Sequence, residues 1–362
     1  GFEGEFPGGV LDPNPKEGNN VIVANELGMS DMFNNYGNIK MDYKLKNVEL
    51  QSITSFNKVD RSSFGDLDFL DLDLFTQSET SSTETFNQEF RVHNLNKNTK
   101  LDWSAGGFYQ NIKKDVYQSG TDSSFDPPEY EVADYLNETE TIALFGFLDY
   151  KITDKLTASA GFRYDIDKFS QEDYLFLTSS SRENNVFQPK VSLSYQASKS
   201  VLIFANYGKG YRNGGYNAEA TDLFNREFDD ETSDNYELGI KTTTWNDRLI
   251  LNGSVYTSKL KNQQQYILDL NTFIAGVYNY DETEVFGYEI ESRFRLTNFL
   301  DFFANFGSAD AEIVDGGETG GPDGDTTDNT KYNGNKIPFV PVSTFGIGLE
   351  SSFNITDELI FK

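Results

Sequence analysis

The sequence predicts an all-β protein, an antiparallel β-barrel that crosses a membrane. Three observations carry that prediction: composition, a hairpin rhythm, and alternation within strands. Aromatic residues make up 15% of the 362, with 31 Phe and 20 Tyr, yet the mean hydropathy is −0.55. A barrel reconciles the two, because its strands show lipid only every second residue and anchor themselves with aromatic girdles at both interfaces. No stretch approaches the ~18 uninterrupted apolar residues that a membrane helix needs, which excludes a helical membrane protein.

The rhythm is a long strand, a turn of a few polar residues, a second long strand and a long polar loop, repeated about seven times. Tight turns are expected near Lys46-Asn47, Asn96-Asn98, Thr153-Asp154, Ser198-Lys199, Asn246-Asp247, Thr297-Asn298 and Thr356-Asp357, all residue types that favour hairpin connections. Long connections are expected over 62–83, 118–133, 171–183, 213–230, 263–276 and 311–336. Short turns at one end and long, extracellular loops at the other are the habit of outer-membrane barrels.

Alternation supports the strands between them, since a period of two sends successive side chains to opposite faces. In 156–165, Leu156, Ala158, Ala160, Phe162 and Tyr164 oppose Thr157, Ser159, Gly161, Arg163 and Asp165. In 286–296, Phe286, Tyr288, Ile290, Phe294 and Leu296 oppose Gly287, Glu289, Glu291, Arg293 and Arg295. Segments 190–196 and 236–241 behave alike. A soluble sandwich also alternates, but its strands average only ~5–6 residues, whereas 136–152 and 247–262 run much longer. About fourteen strands result. The last, Asp357 to Lys362, stops after about six residues, short of the ~9–11 of a tilted transmembrane strand, so more wall is expected beyond it.

Composition also narrows function. A net charge of −28 repels nucleic acid, and the acidic surplus gathers in 66–73 and 323–328, which read as loops. With no Cys and one His, His93, there is little material for a thiolate or imidazole metal site or a Ser-His-Asp triad. No enzyme activity, catalytic residue, metal or cofactor is expected. Asp323 to Asp328 offers oxygen ligands but lacks the bidentate Glu that completes an EF-hand loop, and reads as solvated. His93 falls near a short turn and is given no role.

Several phrases resemble the barrel of TonB-dependent receptors, in the siderophore-receptor-like branch. They are Phe86 to Val92, Leu101 to Tyr109, Ala160 to Tyr164, Gly210 to Asn217, Asn235 to Lys241 leading to Arg248-Leu249, Gly287 to Glu291, and Pro338 to Pro341. The resemblance runs across nearly the whole chain and implies a 22-stranded barrel around a folded plug, energised through TonB. On that reading residues 1–32, rich in Gly, Pro and Asn, are an extracellular loop segment entering the barrel. Residues 33–362 are a partial transmembrane barrel without plug or terminal strands.

The resemblance implies active uptake of a scarce nutrient, with a ferric siderophore favoured. A glycan or cobalamin importer, or a passive porin, remains an alternative. Expected partners are the TonB complex, outer-membrane lipid and lipopolysaccharide, and a small-molecule nutrient or metal chelate. Tyr211, Arg212, Asn213 and Tyr216, at a glycine-rich rim, are candidates to grip an anionic or aromatic ligand. They can equally form a plain rim turn with an interfacial tyrosine. The inward charges Arg163, Glu237, Lys241, Glu289, Glu291, Arg293 and Arg295 are candidates for plug or lumen contact, or simply a polar wall facing water.

Overall fold

The computed structural model describes residues 26–361, apart from 67–74, 97–98, 124–127, 218–219, 222, 270–273, 321–325 and 355–359. Thirteen strands form one sheet in chain order, each antiparallel to the next. They are β1 Met29–Lys44, β2 Val48–Asp66, β3 Phe75–Asn94, β4 Leu101–Asp122, β5 Glu129–Lys151, β6 Leu156–Asp173 and β7 Thr178–Ser198. Then come β8 Val201–Arg212, β9 Glu231–Thr244, β10 Leu249–Asp269, β11 Ile274–Arg295, β12 Leu300–Asp315 and β13 Ser343–Ser351. Beyond β13, Phe353–Asn354 pairs antiparallel with Ile360–Phe361 in a separate short ladder. Among the described residues no pairing joins β1 to β13, so the sheet is an open wall.

Alternation in the sequence becomes two faces of this wall. Tyr164, Phe162 and Ala160 stand opposite Phe187, Pro189 and Val191 on one face, and Phe162, Phe187 and Val191 are about half exposed. Large side chains left bare in this way need lipid to cover them. On β6 the outward row runs from Leu156 to Ile166. At ~3.4 Å per residue and a tilt of ~40°, ten steps give the ~25 Å of an outer-membrane hydrocarbon band. Pro189 sits just past the last β7–β8 pair, Lys190–Gly208, where the strand becomes an edge that tolerates a missing donor.

The short turns fall where expected, at 45–47, 152–155, 199–200, 245–248 and 296–299, while those at 97–98 and 356–357 lie outside the described residues. The long connections are a correction. Of the expected loop 62–83, both flanks are strand to Asp66 and from Phe75. Of 171–183 only residues 174–177 separate β6 from β7, and 118–133, 263–276 and 311–336 are invaded by strand in the same way. The physical reason is that these extensions stand above the membrane, where both faces meet water. Where their sequences are polar, as over Phe75 to Thr85, the period-two signal vanishes while backbone pairing persists. Likewise Met29 to Met32, expected in an entry loop, are the first residues of β1.

The loop 213–230 is the connection that stays long. It folds inward and builds the one buried apolar cluster among the described residues, in which Phe224 meets Tyr278, Tyr280, Ala311, Ile313 and Ile337, with Val285 and Tyr332 at its margin. Val285 and the buried Thr283 belong to the inward row of β11, the row of Gly287. Tyr278 and Tyr280 have the opposite parity. The switch coincides with a register shift between Glu282 and Thr283 and with Asn262 on β10, held at φ 52°, a left-handed conformation that Asn adopts more readily than most residues. That irregularity turns two tyrosines inward to meet the loop.

Candidate functional site

At the long-loop end of the inner face, a cavity of about 510 Å³ is lined from β4, β5, β6, β7, β8 and the start of the loop. Its size suits a small-molecule ligand, for which ~300–1,000 Å³ is usual. Phe108, Gln110, Thr141, Arg163, Asp165, Asp167, Gln188, Tyr211 and Asn213 face it. Alternation put Arg163 and Asp165 on one face, and the structure closes them into a pair. The Arg163 Nε donates to both Asp165 oxygens at 2.8 and 2.9 Å, and its guanidinium lies 5.0 Å from the Phe108 ring centre. Asp165 also accepts from Gln188 Nε2 at 2.7 Å, and Asp167 accepts from the Thr141 hydroxyl. One cation therefore stands beside two carboxylates, so the lining carries no surplus positive charge.

Of the four rim candidates, two reach this cavity. The Tyr211 hydroxyl donates to Asn213 Oδ1 at 2.6 Å and accepts from Asn184 Nδ2 at 3.2 Å. Arg212 is not among the lining residues; it lies 4.0 Å from Glu231, with its side chain 63% exposed. The Tyr216 ring lies tilted against that of Phe169, their centres 5.8 Å apart. Burial first, and Glu227 second, raise its hydroxyl above the ordinary phenol value, so it stays a neutral donor at physiological pH. The glycines between them are needed: a Cβ on Gly214 would strike the Arg182 guanidinium and the Phe228 carbonyl.

The inward candidates are dispersed along the wall. Glu237 accepts from Asn206 at 2.9 Å, and the Lys241 ammonium lies 5.5 Å from the Phe204 ring centre. Arg293 bridges Asp301 at 2.8 Å and Glu350 at 2.7 Å, and Arg295 meets Asp301 at 3.3 Å. Glu289 and Glu291 are exposed. His93 lies 3.7 Å from Glu49 near the short turns. Of the acidic stretch 323–328, residues 323–325 lie outside the described residues, and Asp328 accepts from the Thr330 backbone at 2.8 Å.

Sequence reasoning missed what fixes the rim. Asn217 is 6% exposed; it donates to Val277 O at 2.8 Å and accepts from Val277 N at 2.7 Å, mimicking a strand partner. Gln264 donates to the carbonyls of Asn213 and Asp229. Arg182 holds Phe228 O at 2.9 Å and Asp230 at 3.2 Å, and Arg226 reaches Asp173 at 3.1 Å and Thr178 at 3.0 Å. Only Phe224 carried a signal: a large apolar residue in a polar loop, needing a place to bury.

A lipid-facing antiparallel wall with short turns at one end and a polar, loop-capped inner cavity at the other defines a membrane β-barrel of the receptor type. The family model "TonB dependent receptor-like, beta-barrel" matches residues 4–356, and the chain belongs to that family. Its barrels are outer-membrane proteins of Gram-negative bacteria. Similar curated proteins include the pesticin receptor of Yersinia pestis, 24% identical over 70% of this chain and 36% of that protein. Another is the probable TonB-dependent siderophore receptor PiuA of Acinetobacter baumannii, 25% identical over 58% of this chain and 28% of its own length. Among solved structures, the ferric yersiniabactin uptake receptor FyuA from Yersinia pestis aligns with a TM-score of 0.72 at 18% identity, over 91% of this chain and 48% of that one. PiuA aligns at 0.71 and 17%, over 91% and 54%. The chain thus spans about a third of the curated relatives and about half of the solved receptors.

Proposed function

We propose that this chain forms wall of an outer-membrane receptor that imports a scarce solute, a ferric siderophore, with energy delivered from the inner membrane through the TonB complex. The observation that carries the reading is the inner cavity beneath a pinned loop, joined to membership of a receptor family. Its lining sharpens the cargo. Asp165 already neutralises Arg163, and Arg212 is no part of the lining, lying beside Glu231 instead. Recognition therefore runs through amide, hydroxyl and aromatic groups, which favours a chelate with a neutral, hydrogen-bonding surface over a highly anionic one. The same lining suits a glycan, because hydroxyl-rich sugars bind amides, carboxylates and aromatic faces, so that reading is kept as the alternative.

The test is equilibrium binding to the full-length receptor of a panel containing neutral and anionic ferric chelates, cobalamin and oligosaccharides. A neutral ferric chelate should bind, and Tyr211→Phe with Asn213→Ala should weaken it about ten-fold or more, the loss of two hydrogen-bonding groups. Binding of glycan alone, or an affinity untouched by both substitutions, would overturn the siderophore assignment.

A further inference from the structure

Among the described residues, Asp167 is a carboxylate of the inner cavity with no counter-ion of its own. It stands two residues above Asp165 on the inward row of β6, lines the cavity and is 6% exposed. Register sets it between Thr141 of β5 and Asn184 of β7. The Thr141 hydroxyl donates to its Oδ1, and among the described residues no donor reaches Oδ2. The basic side chains around it are engaged elsewhere. The Arg163 fork closes on Asp165, with Nε at 2.8 and 2.9 Å and Nη2 at 2.6 Å. Arg182 is taken by Asp230 at 3.2 Å and by the Phe228 carbonyl, and Arg226 by Asp173 at 3.1 Å. Lys168 belongs to the outward row, 3.9 Å from Glu183.

Burying a carboxylate is costly unless its charge is met, and one hydroxyl meets it only in part. Strand pairing does not ask for the charge, since an Asn in this place would keep the Thr141 hydrogen bond. A ligand that fills the cavity removes the remaining water from Oδ2. If it brings no positive group, it leaves a desolvated anion; if it brings an ammonium, the pair forms where the local dielectric is low. An ammonium has three donors and no acceptor, so a carboxylate oxygen is its natural seat. The neighbouring row suits a hydrocarbon stem. Ile112 and Phe169 are both register partners of Thr139, one row above Asp167, and both line the cavity as an apolar shelf.

We infer that Asp167 receives a cationic group of the ligand, a primary ammonium on an aliphatic arm. The arm lies along Ile112 and Phe169, the ammonium donates to Oδ2 of Asp167, and Arg163 and Asp165 stay paired with each other. The inference rests on the cavity being the ligand site of the proposed receptor. Within that reading it names a narrower chemical class: a chelate whose metal-binding part is neutral and which carries one free amine.

The test measures the affinity of the full-length receptor for two matched pairs of probes. One pair is a ferric linear trihydroxamate with a terminal primary amine and its N-acetyl derivative. The other is a glucosamine oligosaccharide and its N-acetylglucosamine counterpart. Within the pair it accepts, the parent should bind the amine about ten-fold or more tighter than the acetylated form, the scale of one close charge pair. Asp167→Asn should weaken the amine and leave the acetylated form unchanged, so that the preference disappears. Asp149→Asn, lower on the same inner face and bonded to Ser159, should keep the full preference, which separates contact from the general field of an acidic wall. Should the Asn variant fail to fold, Asp167→Ser gives the same readout. A preference that survives loss of the Asp167 carboxylate, or a parent that binds amine and acetylated forms equally, overturns the inference. An Asp167-dependent preference within the sugar pair alone sinks the ferric-chelate reading and leaves the inference standing, and chelate binding without preference does the reverse. Binding of neither pair overturns both.

Discussion

Between Leu156 and Ile166 the outward side chains of β6 touch only neighbours in the sheet and are left bare for lipid. Above the membrane, under the loop 213–230, Phe224 is wholly buried among tyrosines and isoleucines. One protein thus uses two solvents. In the band, hydrocarbon covers the apolar face and the backbone ladder satisfies every strand, so no interior core is needed. Above it, water surrounds both faces, and a segment that must hold one conformation has to exclude water by itself. The comparison makes the band a wall that tolerates variation inward and the loop a small globular unit built on that wall.

The largest effect expected from breaking this contrast is at Phe224. Phe224→Ala should destabilise the closed loop by about 3–5 kcal/mol, the usual cost of emptying an aromatic site. Hydrogen exchange should show amides of 214–230 losing protection while those of β4 to β7 keep theirs, and heat unfolding of the wall should not move. A fall in wall stability of the same size would mean that loop and wall are one unit.

The wall is tested by moving one charge by one residue. Val191 lies on the lipid row at 51% exposed, and Ser192 faces inward toward Asn206, accepted at 2.6 Å. Val191→Arg should cost about 2–4 kcal/mol of insertion stability, the penalty of a mid-band charge on the lipid face. Ser192→Arg should cost much less, because the lumen is wet. The measurement is urea-dependent folding into bilayers, and equal costs at the two positions would contradict the assignment of faces.

These faces were legible in the sequence because lipid and water impose opposite demands on alternate residues, as at Leu156 to Asp165. The strand extensions were not, because Phe75 to Thr85 meets water on both sides and carries no alternation to read. Tyr211 and Asn213 were legible as a rim beside Gly214 and Gly215. That Arg212 lies beside Glu231 and not in the lining was not, since it depends on the pairing of β8 with β9. Nor was the tether from Asn217 to Val277, which joins residues 60 apart. Long-range register, unlike periodicity, is written in no local pattern.

The joint between the two regions is Arg226, which ties the loop to the top of β6 and β7. Its guanidinium donates to Asp173, 4% exposed, to Gln171 and to Thr178. Arg226→Leu keeps the bulk and removes the donor, leaving a buried carboxylate without this partner, at a cost of about 1–3 kcal/mol. That is smaller than the loss at Phe224, and it falls elsewhere: the apolar cluster stays filled, so the amides nearest Phe224 should remain protected while those of 225–230 and the β6–β7 turn exchange faster. Because Arg182 still holds Phe228 and Asp230, the inner cavity should keep its shape and ligand affinity should change only slightly. Loss of protection through the whole loop would instead make the polar tether, and not the buried ring, the element that holds the loop on the wall.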